Sequence, residues 1–119
     1  MNTNKIYACW VYVSDLEKST AFYKSIGFQI KQVEGAWVEF DLGQTSFAIL
    51  ERPKSKGNVV PCKTRIMFET DDIEYVYNEL INKQVKLIGA IRNESYGKLL
   101  TFEDPDGNWL EFYQKRADG

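Results

Sequence analysis

The sequence contains no histidine, and this absence excludes more chemistry than any other feature of its composition. Without an imidazole there is no Ser-His or Cys-His nucleophile system, and the usual general base near neutral pH is missing. The commonest protein ligand of zinc, nickel and iron is missing as well. Functions that depend on these groups are therefore not expected.

Cysteine is almost as scarce. The two cysteines, Cys9 and Cys62, match no zinc-binding or redox spacing. We interpret them as small, buried or half-buried side chains. The alternative is a disulfide or a redox role, and the sequence alone does not assign one.

Long apolar runs and an excess of positive charge are also lacking. No run approaches the roughly 20 residues of a membrane span, and the first ten residues lack the apolar core of a signal peptide. The 119 residues include 15 basic and 17 acidic side chains, for a net charge of -2, which argues against nucleic acid as a partner. We therefore expect a cytoplasmic protein with neither a membrane nor a nucleic acid partner.

What is present is enough for one domain, because 44% of the residues are hydrophobic. One pattern of predicted elements occurs twice, and the helix starts SDLE at Ser14 and DDIE at Asp71 lie 57 residues apart. The predicted elements are a strand at 6–13, a helix at 14–27, strands at 29–33, 36–42 and 45–51, then a strand at 64–70, a helix at 71–84, and strands at 86–92, 98–103 and 108–114.

The sequence therefore predicts an α+β fold of two tandem βαβββ modules, at about residues 4–52 and 62–115, within a single domain spanning 1–119. A polar segment rich in Pro and Gly, 53–61, links them. Each module would place its helix on one face of its sheet. The other faces, in a curved mixed sheet, would then enclose a cavity.

Each predicted helix has two candidate capping residues, because a short side-chain oxygen can accept from free N–H groups in the first turn. They are Ser14 or Asp15 for the first helix, and Asp71 or Asp72 for the second. Apolar residues recur along one side of each helix. These residues are Leu16, Phe22, Tyr23 and Ile26 in the first helix, and Ile73, Val76, Tyr77 and Leu80 in the second.

Two segments, SDLEKSTAFYKSIGF at 14–28 and FEDPDGNWLEFYQ at 102–114, resemble the vicinal oxygen chelate superfamily. This superfamily includes glyoxalase I, extradiol dioxygenases, fosfomycin resistance enzymes, methylmalonyl-CoA epimerase and the bleomycin resistance proteins. The resemblance spans about residues 6–115 and implies the glyoxalase/bleomycin-resistance-like fold. It does not imply one activity, because this fold hosts many reactions and some pure binders.

The resemblance also implies where a metal would be held, since metal-using members place ligands on strands of both halves. The corresponding positions are Ala8, about Ala48, Arg65 and Glu111. Only Glu111 retains a donor atom, and Arg65 brings positive charge to the place of a cation. One carboxylate does not hold a transition metal tightly. We therefore expect that the metal site has been lost and that no cofactor is used.

Alternation along the strands identifies the side chains expected to line the cavity, which combine aromatic rings with charges. They are Trp10, Tyr12, Trp37, Glu39, Asp41, Arg65, Met67, Glu69, Trp109, Glu111 and Tyr113. The residues expected to pack on the helices are Cys9, Val11, Val13, Val38, Phe40, Leu42, Ile66, Phe68, Leu110 and Phe112. The aromatic rings could instead fill space or lie in an interface. Arg65 and Glu111 could form a salt bridge, which is compatible with a ligand contact.

Three further segments have two interpretations each. The segment GAIRNESYGKLL, 89–100, is either a loop that gates the cavity, with Arg92 and Tyr96 near the ligand, or an ordinary long connection. ERPKSKGN, 51–58, is interpreted as a solvated linker rather than an anion site. DPDG, 104–107, is interpreted as a turn, because it lacks the other ligands of a calcium loop.

These observations favour a metal-independent binding protein for a small aromatic, antibiotic-like molecule, similar to the bleomycin resistance proteins, which bind their ligand as homodimers. The acid count favours a cationic or zwitterionic ligand, whereas Arg65 alone would attract an anion. The alternative is a glyoxalase-like lyase or isomerase with metal bound weakly or not at all, in which Glu111 would be the general base. Predicted ligand-binding residues are Trp10, Tyr12, Trp37, Glu39, Arg65, Met67, Tyr96, Trp109, Glu111 and Tyr113. Ligand identity and swapping of modules between chains stay open.

Overall fold

The computed structural model describes residues 1, 3 and 5–117, and within it the chain divides into two compact units between Val60 and Pro61. We call these units the first and the second module. The predicted start of the first module, Asn4, lies outside the described residues. Each module contains one helix and one mixed sheet, as expected for an α+β fold.

The first module is built in the predicted order of strand, helix and three strands. Its elements are β1 (Ala8–Val13), α1 (Leu16–Ser25), β2 (Ile30–Glu34), β3 (Trp37–Leu42) and β4 (Thr45–Glu51), followed by a short 3₁₀ turn at Lys54–Lys56. The strand order is β1-β4-β3-β2. The first and last strands pair in parallel, and the other two pairs are antiparallel.

The second module repeats this plan with one additional strand. Its elements are β5 (Ile66–Glu69), α2 (Ile73–Asn82), β6 (Lys86–Leu87), β7 (Arg92–Glu94), β8 (Gly97–Glu103) and β9 (Trp109–Lys115). The sheet runs β5-β9-β8-β6, and β7 also pairs with β8. Again the first and last strands, β5 and β9, are parallel neighbours.

The predicted single strand at 86–92 is wrong, because the chain bends at Gly89, whose φ is +84°. Two short strands result, and both pair with β8. The segment 89–100 is likewise neither a long connection nor a free loop. Glu94 pairs with Gly97, so that only Ser95 and Tyr96 form the hairpin tip. Gly97 has a φ of +152°, and a Cβ there would lie 2.3 Å from the Gln114 carbonyl oxygen.

Both helices begin at the second of their two candidate caps. The Asp15 carboxylate accepts from the Lys18 N–H at 3.0 Å, and the Asp72 carboxylate accepts from the Tyr75 N–H at 3.1 Å. The two caps lie 57 residues apart, which is the predicted repeat. Each helix has ten residues, and no helix within the described ranges is long and apolar enough to cross a membrane.

The helix-facing sides of the sheets form the core. Tyr23 of α1 packs on Phe28, Phe40 and Phe47, with ring centroids 5.0–5.7 Å apart. In the second module the buried apolar residues are Phe68, Ile73, Leu80, Val85, Leu99, Leu100, Phe102, Leu110 and Phe112. Burial thus follows the predicted alternation on most strands.

Several predicted core residues are less buried than expected. Leu42 is exposed, because it precedes the tight turn at Gly43 that joins β3 to β4. Ile66 is half-buried at the start of β5. Five residues on the predicted apolar sides of the helices are also only half-buried, namely Leu16, Phe22, Ile26, Val76 and Tyr77. The interpretation of Cys9 and Cys62 is confirmed, since both are free and half-buried.

Candidate functional site

The first module buries a carboxylate completely. Glu39 lies on β3 between Val38 and Phe40, so its side chain points to the face of the sheet away from α1. None of the Glu39 side chain is exposed to solvent. Its two oxygens accept from Ser46 Oγ at 2.7 Å, Gln32 Nε2 at 3.0 Å, Trp37 Nε1 at 3.1 Å and the Tyr7 hydroxyl at 3.3 Å, and Lys31 Nζ lies 3.6 Å away.

This shell of donors keeps Glu39 ionised. The hydrogen bond from Ser46, followed by those from Gln32 and Trp37, lowers the pKa of Glu39 from its ordinary value of 4.5 to about 2, although burial acts in the opposite direction. Both carboxylate oxygens are engaged, mostly by neutral groups. We call Glu39 with these partners the Glu39 cluster.

The second module buries a carboxylate in a different way. Glu111 lies on β9, and only 6% of the residue is exposed. One of its oxygens, Oε2, accepts from Arg65 Nη1 at 3.0 Å, Arg92 Nη2 at 3.0 Å and Thr101 Oγ1 at 3.1 Å. Arg92 Nη1 also donates to Thr101 Oγ1 at 3.1 Å, which fixes the hydroxyl between the two charges. We call these four residues the Glu111 cluster.

The Glu111 cluster has one engaged oxygen and two cations that reach solvent. Among the described residues, no hydrogen bond reaches Glu111 Oε1. The side chains of Arg65 and Arg92 are 44% and 40% exposed. The Arg65 guanidinium also lies over the Trp109 ring, 5.5 Å from its centroid. An aromatic ring, two guanidinium groups and a carboxylate are therefore joined on one face of the second module.

The strand registers show that the two carboxylates lie in equivalent cross-strand pairs, one in each module. In the first module Glu39 of β3 lies opposite Ala48 of β4, which in turn lies beside Trp10 of β1. In the second module Thr101 of β8 lies opposite Glu111 of β9, which lies beside Met67 of β5. Ala48 thus holds in the first module the position that Glu111 holds in the second. The buried carboxylate therefore lies on β3 in the first module, whereas in the second it lies on the last strand, β9.

The predicted aromatic residues form groups within each module. Trp10 packs edge-on against Tyr12 and Trp37, with centroids 5.0 Å and 6.1 Å apart, and Trp37 donates to Glu39. Trp10 and Trp109 are 42% and 41% exposed. In the second module Met67 is exposed beside Glu111.

A third group lies at the hairpin of the second module. The Tyr113 hydroxyl donates to the Tyr96 carbonyl oxygen at 2.9 Å, and the two rings lie 6.2 Å apart. Of the remaining predicted cavity residues, Asp41 and Glu69 are exposed, and Glu69 pairs with Lys115 at 3.4 Å.

Sequence reasoning identified Arg65 and Trp37 but missed the other polar partners of both carboxylates. Ser46 and Thr101 are buried polar residues on strands to which the alternation was not extended, and extending it would have found both. Arg92 was considered only as a loop residue. Gln32 lies on the predicted strand 29–33, which was not read for the cavity face, and alternation along the predicted strand 6–13 put Tyr7 on the opposite face.

The residues present do not fit a metal centre. Within residues 1, 3 and 5–117, no group of three or more His, Cys, Asp or Glu side chains could hold a metal ion. Ala8 and Ala48 offer no donor atom, and Glu111 is ion-paired with two arginines. A cation at Glu111 would have to displace or repel these guanidinium groups.

The sequence matches the family model of the Glyoxalase/Bleomycin resistance protein/Dioxygenase superfamily over residues 5–112. The chain belongs to this superfamily, and the predicted fold class and resemblance are thereby confirmed.

Three similar proteins illustrate the breadth of this superfamily. The uncharacterized protein YraH of Bacillus subtilis strain 168 is 30% identical over 92% of this chain and 98% of its own length. The metallothiol transferase FosB of Lysinibacillus sphaericus strain C3-41 is 31% identical over 85% of this chain and 75% of its own. The crystal structure of TnmS3, an antibiotic binding protein from Streptomyces sp. CB03234, has a TM-score of 0.79 and 26% identity, and the match covers 98% of this chain and 99% of that one.

Proposed function

We propose that this protein is a metal-independent, cytoplasmic binding protein for a small aromatic molecule of antibiotic type. The observation that carries the proposal is the Glu111 cluster. The one carboxylate that remains at the metal-ligand positions is occupied by two arginines and a threonine instead of completing a donor set. Such a group orients an organic ligand through charge-assisted hydrogen bonds.

Exposed aromatic rings beside buried charges support the same proposal. Trp10 lies beside the Glu39 cluster, and Trp109 lies under the Arg65 guanidinium. Both indole groups are about two-fifths exposed, so a planar ligand can stack on them. The structural likeness to TnmS3, which binds an antibiotic, agrees with this assignment.

Titration of the intrinsic tryptophan fluorescence with a panel of aromatic antibiotics, bleomycin included, tests the proposal. We expect saturable quenching by at least one compound. Trp109→Leu should weaken that binding about tenfold. Tyr75→Leu is the matched control, because Tyr75 is an exposed aromatic residue on α2 and has no contact with the Glu111 cluster. If no compound in a broad panel quenches the fluorescence, the proposal is contradicted.

Elemental analysis of purified protein tests the metal independence. We expect no stoichiometric zinc, nickel, manganese or iron, and unchanged ligand affinity after treatment with a chelator. A stoichiometric transition metal that survives chelation would instead favour a glyoxalase-like lyase or isomerase, since that chemistry polarises vicinal substrate oxygens with a metal.

A homodimer is part of the proposal. Among the described strands β1 and β5 lie at sheet edges and carry exposed large side chains, Trp10 and Met67, and an open sheet edge offers its hydrogen-bonding groups to a second chain. Light scattering coupled to size-exclusion chromatography should give twice the chain mass of 13.8 kDa. A mass equal to that of one chain over the whole concentration range would contradict this part.

A further inference from the structure

The Glu111 cluster carries a net positive charge. Arg65 and Arg92 contribute two charges, and Glu111 removes one. Both guanidinium groups are close to half-exposed, whereas Glu111 is almost fully buried. A molecule that approaches this face of the second module therefore meets cationic N–H groups before it meets the carboxylate.

The acidic residues that favoured a cationic ligand are engaged elsewhere. Glu39 is buried beneath its own shell of donors. The Asp41 carboxylate accepts from the Gly43 N–H at 3.0 Å, at the β3–β4 turn. Glu69 pairs with Lys115. A further acid, Glu103, accepts from Trp109 Nε1 at 3.0 Å, and its charge is offset by Lys86 at 3.5 Å. The acid count therefore overstates the attraction of this protein for cations.

The arginines also have hydrogen-bonding capacity left over. A guanidinium has five N–H donors in a planar fork that matches a carboxylate or phosphate group. Arg65 uses one nitrogen on Glu111, and Arg92 uses two, on Glu111 and Thr101. Glu111 and Thr101 hold both groups in place, so little side-chain entropy is lost when a further anion binds.

We propose that the Glu111 cluster is the subsite for an anionic group, a carboxylate or phosphate, of an aromatic ligand whose ring stacks on Trp109. This inference rests on the proposed function and names the class of ligand. In it, Arg65 and Arg92 bind the anion, whereas Glu111 positions the two guanidinium groups and does not contact the ligand directly.

Three probes with one ring system test the inference, namely 2-naphthoate, 2-naphthamide and 2-naphthylmethylammonium. Their dissociation constants are measured by calorimetry and by tryptophan quenching, at neutral pH and low salt. We expect 2-naphthoate to bind about tenfold tighter than the neutral amide, and the ammonium probe to bind weakest. Added salt should weaken only the binding of the naphthoate.

Variants of the Glu111 cluster should change the naphthoate-to-naphthamide affinity ratio in opposite directions. Arg65→Gln and Arg92→Gln should each reduce the naphthoate-to-naphthamide affinity ratio about fivefold or more. Glu111→Gln should raise it about threefold, because the variant removes the negative charge beside the arginines. Lys98→Gln is the matched control, because it removes one positive charge from β8 at a residue that pairs with Glu74 of α2. It should leave the ratio unchanged.

The outcomes separate this inference from the proposed function. Binding of all three probes with a ratio near one, or tightest binding of the ammonium probe, overturns the anionic subsite and leaves an aromatic binder. A weaker naphthoate affinity in Glu111→Gln also overturns it, because the loss of a negative charge beside a cationic subsite should strengthen the binding of an anion. Failure of all three probes to bind, together with no quenching by the antibiotic panel, overturns the proposed function itself.

Discussion

Glu39 of the first module and Glu111 of the second are buried carboxylates in equivalent cross-strand pairs. They lie on different strands of the pair, and different partners surround them. Glu39 has both oxygens engaged, mostly by neutral donors, and none of it is exposed. Glu111 has one engaged oxygen and two arginine partners that reach solvent. The comparison shows that equivalent cross-strand pairs can hold a fully enclosed carboxylate or one whose charged partners reach solvent, depending on the residues around it.

Removal of the two carboxylates should break this comparison most strongly. We expect Glu39→Ala to lower the free energy of unfolding by about 3 kcal/mol, because it leaves the buried Ser46 hydroxyl and the half-buried Trp37 indole N–H without their acceptor. Glu111→Ala should cost only about 2 kcal/mol, since Arg65 and Arg92 can turn toward water. Urea denaturation monitored by circular dichroism measures both values. Glu34→Ala, at an exposed residue of β2, is the control and should change little. Equal losses at Glu39 and Glu111 would contradict the distinction.

The pH dependence of stability is the second test of the difference between the modules. The folded-state pKa of Glu39, about 2, lies below its ordinary value of 4.5, so its contribution to stability is complete above about pH 4.5 and is lost as the pH falls toward 2. The full shift corresponds to about 3 kcal/mol. We expect about 2 kcal/mol, because several of its donors are exposed and screened by water.

Urea titrations of the wild type and Glu39→Gln at a series of pH values measure this contribution. The wild type should lose its advantage over the variant between about pH 4.5 and 2. Glu34→Gln serves as the control, with a curve parallel to that of the wild type. If the stability of the wild type and of Glu39→Gln changes with pH in parallel, the pKa of Glu39 is not lowered in the folded state.

The two buried hydroxyl donors, Ser46 and Thr101, offer a third and smaller test. Ser46→Ala should cost about 2 kcal/mol, because Ser46 makes the shortest hydrogen bond to Glu39 and is the largest cause of its low pKa. It should also move the acid transition to higher pH. Thr101→Val should cost about 1 kcal/mol, since both arginines still neutralise Glu111. A larger loss for Thr101→Val, measured by urea denaturation, would reverse our ranking of the clusters.

The helix caps should show where the modules do not differ. Asp15→Ala and Asp72→Ala should each lower stability by about 1 kcal/mol, because each carboxylate accepts from an N–H of the first turn at nearly the same distance. Thermal denaturation of the single variants measures this. Asp71→Ala, at the unused cap candidate, is the control and should have little effect. A difference above about 1 kcal/mol between the caps would show that one helix end has a second role.

The repeat was predictable because it depends on local signals. Helix caps, glycine turns and strand alternation are set by a few neighbouring residues, and they located both helices and most strands. The prediction of one strand at 86–92 was wrong because Gly89, with a positive φ, bends the chain within a segment whose composition favours a strand. The prediction that Leu42 is buried was wrong because the apolar pattern continues to the last residue of β3, where the strand meets the turn at Gly43.

The candidate site was only partly predictable. Trp10, Trp37, Glu39, Arg65, Trp109 and Glu111 were identified by alternation, and the contact between Arg65 and Glu111 was one of two open interpretations. The partners Arg92 and Thr101 depend on the register between β7, β8 and β9, which pairs residues about ten positions apart. Registers of this kind are not encoded in a local pattern, and they decide which donors meet each carboxylate.

The parallel pairing of first and last strands has a consequence for synthesis on the ribosome. β1 pairs only with β4 among the described strands, and β5 only with β9. Neither sheet can therefore be completed until the final strand of its module has left the exit tunnel. The first module has all its strands after Glu51, while the second is still being translated. A stalled chain that ends before Thr45 would present the hydrogen-bonding groups of β1 and its indole ring to chaperones and to neighbouring chains.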